Sequence, residues 1–232
     1  MRRVPVRIAR SAAVCMTAAV TFAAGCSNNS EGGGSKEPNA GVAANKICDG
    51  TLDTSAAAAL QRLSGTKQFD ELTGTNEAGE SNTFSVDRAI KHLHDSYSQR
   101  GTCWVYKTGD DSGRPLLEVR FSATRSHPSS SEEEESSTDT VEYPVGVFAR
   151  TSRYGADLFF RCPTKATTDD AHVGDTDYVK AEMYSATGKM TGGSVSKDRM
   201  TVLNSMARAV ADAGGCASAA ALPMQIPAGK AH

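Results

Sequence analysis

Residues 116–124 read Leu116-Leu117-Glu118-Val119-Arg120-Phe121-Ser122-Ala123-Thr124. Leu117, Val119, Phe121 and Ala123 alternate with polar neighbours, the period-two pattern of a strand with one buried face. Residues 102–107, TCWVYK, precede it across the turn-rich GDDSGRP, so the two segments predict a hairpin. Further strands are expected at 141–151, where Pro144 points to an edge or bulge, at 156–162 and at 177–186.

Helical patterns flank this central block. Asp53-Thr54-Ser55 offers N-caps to a helix with Ala56, Ala59, Leu60 and Leu63 on one stripe, and Gly65 suits its C-cap. A second helix is expected from Ser85, with Val86, Ala89, Ile90, Leu93 and Tyr97 on one stripe. A third is expected over 196–213, with Met200, Leu203, Ala207 and Val210 facing inward and Gly214-Gly215 as its stop. These patterns predict an α+β fold, an antiparallel sheet of about five strands with helices on one face. Residues 125–140, RSHPSSSEEEESSTDT, cannot order by burial and are expected to form a disordered acidic loop.

The N-terminus bears on location. Arg2, Arg3, Arg7 and Arg10 precede a short apolar run from Ser11 to Ala24, the layout of an export signal. Ala23-Ala24-Gly25-Cys26 follows, which looks like a bacterial lipobox with Ala23 where Leu is usual. Residues 1–25 are thus expected to be a lipoprotein signal peptide, with Cys26 as the lipidation site. Residues 27–45 are rich in Gly, Ser and Asn, and as a flexible coil they reach roughly 24 Å. A single extracytoplasmic domain over 46–222 and a tail over 223–232 complete the expected layout.

Composition fits that placement. The chain of 232 residues carries 25 Lys+Arg against 27 Asp+Glu, which excludes a strongly basic nucleic-acid module. Removing residues 1–25 takes four arginines and no acid, leaving 21 against 27 and a net charge of -6. No run of 18 apolar residues provides a spanning helix, so the expected membrane partner is reached through lipid alone.

Beyond Cys15 in the signal and Cys26, four cysteines remain: Cys48, Cys103, Cys162 and Cys216. An even number in an exported chain predicts two disulfides. Three pairings are open. Cys48–Cys103 and Cys162–Cys216 are expected, because each joins a helix flank to a strand within its own half.

Few residues offer chemistry. His92 and His94 stand two apart on an expected helix, about 200° from each other, and are expected at the surface. Asp169, Asp170, His172, Asp175 and Asp177 are weak metal candidates, since their spacing departs from an EF-hand loop; a polar loop is the simpler expectation. GGSVS at 192–196 lacks the Gly-x-Ser-x-Gly of a nucleophile turn. Trp104 and Tyr106, at alternate positions, suit either a core or a ligand groove. No catalytic residue and no cofactor is expected.

Ile47-Cys48-Asp49-Gly50-Thr51-Leu52, the helix at 56–64 and Cys103-Trp104 resemble a group of actinobacterial envelope lipoproteins of unknown function. In that group a lipobox and tether precede a Cys at the first helix, and a Cys-Trp strand and hairpin follow. The resemblance implies an envelope lipoprotein of a high-GC Gram-positive cell and no activity. Together these features predict a membrane-anchored extracytoplasmic module that binds an envelope ligand or protein partner. An envelope enzyme acting on wall or lipid components and a structural subunit of an envelope complex are the alternatives.

Overall fold

A computed structural model describes residues 41–231, apart from 78, 97–100, 130–138, 168–170 and 193–194. Cys26, Tyr97, Asp169, Asp170 and most of the acidic loop lie outside the described residues. The fold is α+β, with one antiparallel sheet and helices on one of its faces. The sheet has nine strands rather than about five.

In chain order the strands are β1 (Val42–Ala43), β2 (Gln68–Glu71), β3 (Cys103–Lys107), β4 (Leu117–Thr124), β5 (Val141–Glu142), β6 (Phe148–Ser152), β7 (Gly155–Thr164), β8 (Thr176–Ser185) and β9 (Lys230–Ala231). They lie in the order β1-β2-β3-β4-β8-β7-β6-β5-β9. The predicted hairpin is β3–β4, in which Cys103 faces Val119 and Trp104 faces Glu118. The expected strand at 141–151 is two strands, because Pro144 and Gly146 turn the chain between them. Gly146 adopts φ +62°, and a side-chain carbon there would collide with the Phe159 carbonyl. The remaining three strands escape prediction because β1 and β9 are two residues each and β2 four, too short to show alternation. The two outermost strands are thus short, which leaves little edge for unwanted pairing.

The helices are α1 (Thr54–Ser64), α2 (Val86–Lys91), α3 (Val195–Ala213) and α4 (Ala217–Ala220). Asp53 caps α1 by accepting from the Ser55 and Ala56 amides, and Gly65 closes it in the left-handed region. Ser85 caps α2, but α2 stops at Lys91, well short of the stripe that runs to Tyr97. Leu93 still buries, in the turn that follows. Met200, Leu203, Ala207 and Val210 of α3 are buried as expected. They pack with α1 on Val105, Val119, Leu158, Phe160, Val179 and Met183 of the sheet. At about 25 cal/mol per Å² of apolar surface, this shared layer is the main source of stability.

Both expected disulfides are present, Cys48–Cys103 with Cα atoms 5.6 Å apart and Cys162–Cys216 with 5.2 Å. Cys48 and Asp49 take φ +49° and +58°, a backbone that side chains disfavour. The Glu71 carboxylate accepts from the Cys48 amide and Asp49 accepts from the Val86 amide, which holds this turn beside the disulfide. No helix among the described residues is long and apolar enough to cross a membrane.

Candidate functional site

Alternation along each strand sends one set of side chains to the helices and the other to the far face. Trp104 and Tyr106 lie in the second set, half-buried and alternating with the buried Cys103 and Val105. They are therefore outside the helix-covered core. Trp104 stands opposite Glu118, and Tyr106 opposite Asp70. Continuing across the register, Glu118 faces Tyr184, Arg120 faces Glu182, and Asp157 also faces Glu182. The far face is thus a row of aromatic and charged side chains.

A connected ion-pair network runs across it. Arg120 Nε donates to Glu182 Oε2 at 2.6 Å, and Lys180 Nζ donates to Glu182 Oε1 at 2.7 Å and lies 2.9 Å from Asp157 Oδ1. Arg120 also stacks on the Tyr184 ring at 4.5 Å, and Lys180 sits 5.6 Å above Phe159. Phe148 and Phe159, in an edge-on contact at 5.8 Å, form a small buried cluster separate from the main core. Arg150 covers Phe148, and Arg161 covers Tyr178. Tyr184 is 43% exposed and Tyr154 63%, so parts of the surface remain open to a partner.

The network separates two carboxyls. Burial pushes Glu118 up, opposed by Arg120 and aided by Glu182. Glu182 is held down although burial opposes it, because Lys180 and Arg120 donate to it. Burial, then Glu118, raises the Tyr106 phenol. A raised and a lowered carboxyl on adjacent strands is the arrangement an acid and base pair needs. Here it stands on an open face, where the cavity beside Glu182 holds about 80 Å³. A closed substrate pocket would need several hundred.

Of the weak metal candidates, Asp169 and Asp170 lie outside the described residues. Asp175 accepts from the Ala166 amide at 3.0 Å, and Asp177 is exposed. No group of three His, Cys, Asp or Glu suited to a metal occurs among the described residues. His92 and His94 are buried, at 7% and 6% exposure, contrary to the surface placement expected from an uninterrupted helix. The early end of α2 turns both rings inward. His92 Nδ1 meets Asp95 at 2.7 Å, and His94 Nδ1 meets the Val173 carbonyl at 2.8 Å while its Nε2 meets Thr164 Oγ1 at 3.0 Å.

Grooves among the described residues open on the helical side, and a pair of them hold charged side chains next to hydroxyls. One of about 460 Å³ runs past Asp53, Ser205, Arg208 and Asp212, with Arg208 3.1 Å from Asp53. The other, about 400 Å³, opens at the start of α3 beside Ser152, Arg153, Ser196 and Arg199. Arg199 had no signal in the sequence, since charge on an inward helix position shows only once the fold is known. No family model matches the chain, and none of the curated proteins or solved structures compared is similar to it.

Proposed function

We propose that this protein is a lipid-anchored extracytoplasmic binding module whose working surface is the open face of the sheet. The observation that carries the location is the pair of disulfides, which close separations of 55 and 54 residues in a domain that follows Cys26. Such bonds persist in oxidising surroundings, which agrees with an export signal and a lipid attachment at Cys26. Val42–Ala43 pairs with β2 at one edge of the sheet.

The ligand that suits the face is a glycan of the envelope. Trp104, Tyr106 and Tyr184 offer flat apolar rings for the C–H faces of sugars. Arg120, Glu118 and Asp157 offer donors and acceptors for hydroxyls. Binding of isolated wall glycan to the folded domain, compared with Trp104→Ala and Tyr184→Ala, tests the surface. Loss of binding in both variants with the fold retained supports it, and unchanged binding refutes it.

A further inference from the structure

Arg199 carries a charge that no carboxylate among the described residues neutralises. It lies in the first turns of α3 with 4% exposure. Nη1 donates to the Ser152 carbonyl at 2.8 Å and Nη2 to the Arg153 carbonyl at 3.0 Å, while Nε has no partner. That Nε is itself buried, with under 1 Å² open to solvent, so a ligand meets the guanidinium at its rim. Neutral carbonyls satisfy donors but supply no counter-charge. Burial pushes the guanidinium down, and among the described residues no carboxylate pairs with it. An unpaired buried charge costs free energy that a bound anion would recover.

The surroundings suit an anion. Among the described residues, Arg199 lines the groove of about 400 Å³ with Arg153 and the exposed Asp139, two cations against one carboxylate. The groove opens at the positive end of the 19-residue α3. Ser196 also lines it, and its hydroxyl bonds with those of Tyr143 and Thr151. A small ligand would meet hydroxyls as well as charge there.

We infer that this groove binds a phosphate group, whether of a soluble phosphate ester or of a lipid headgroup. The assignment does not depend on the glycan surface, which lies on the other face of the sheet. The test measures binding of inorganic phosphate to the oxidised full-length domain by calorimetry, with chloride at equal ionic strength as control. Glycerol phosphate and phosphatidylglycerol vesicles then separate the soluble from the lipid source. Expected are a dissociation constant in the millimolar range or tighter and a rise in melting midpoint with phosphate. Arg199→Lys, with circular dichroism to confirm the fold, should weaken binding at least tenfold. Val195→Glu places a carboxylate one turn ahead of Arg199 and should abolish phosphate dependence while the protein remains folded. Equal effects of chloride and phosphate, or undiminished binding in Val195→Glu, would overturn the inference.

Discussion

Arg62 of α1 and Asp198 of α3 are joined by two contacts, Nη2 to Oδ1 at 2.6 Å and Nε to Oδ2 at 3.1 Å. Asp198 keeps only 7% of its side chain exposed, whereas Arg62 keeps 56%. The pair therefore acts mainly through the buried partner. Arg62→Ala strands a buried carboxylate and should cost about 1–3 kcal/mol in urea unfolding, more than an exposed pair. Replacing both residues together, Arg62→Ala with Asp198→Asn, should recover part of that loss.

The Cys162–Cys216 bond ties β7 to the segment that follows α3. Cys162→Ser with Cys216→Ser is expected to cost about 2–5 kcal/mol. The exported protein should show no thiol at Cys48, Cys103, Cys162 or Cys216 until it is reduced, as measured by alkylation.

Trp104 is the one tryptophan in the chain and sits half-buried on the open face. Its fluorescence should be quenched by acrylamide to an intermediate degree, and wall glycan should protect it. Trp104→Phe should retain the fold and lose most of that protection. Full quenching that glycan leaves unchanged would count against the surface.

Glu182 carries the clearest pH consequence. Its folded-state pKa is lowered, so its contribution is present above the ordinary glutamate range and is lost as pH falls through the folded pKa. Glu182→Gln should therefore lower the melting midpoint at pH 7, and the gap to wild type should narrow below about pH 4. Glu118 has the opposite sign, since its raised pKa favours the protonated form in the fold. Glu118→Gln should be neutral or stabilising at pH 7.

The alternation at 117–123 and the stripe at 200–210 were readable because each records one buried face over several residues. Both disulfides followed from keeping each bond within its half of the chain. What could not be read depends on contacts distant in sequence. β1 and β9 exist because Phe69 and Val141 offer them partners, and two residues carry no period of their own. The inward turn of His92 and His94 follows from the end of α2, which no capping residue marks. The open face was legible only as alternation within single strands, without the β4–β8 pairing that sets Arg120 opposite Glu182.

The anchor proposal is tested most directly by labelled palmitate incorporation in cells expressing the full chain. It predicts labelling of the wild type, processing blocked by globomycin, and no label on Cys26→Ala. Normal labelling of Cys26→Ala, or none on the wild type, would contradict a lipid anchor at Cys26.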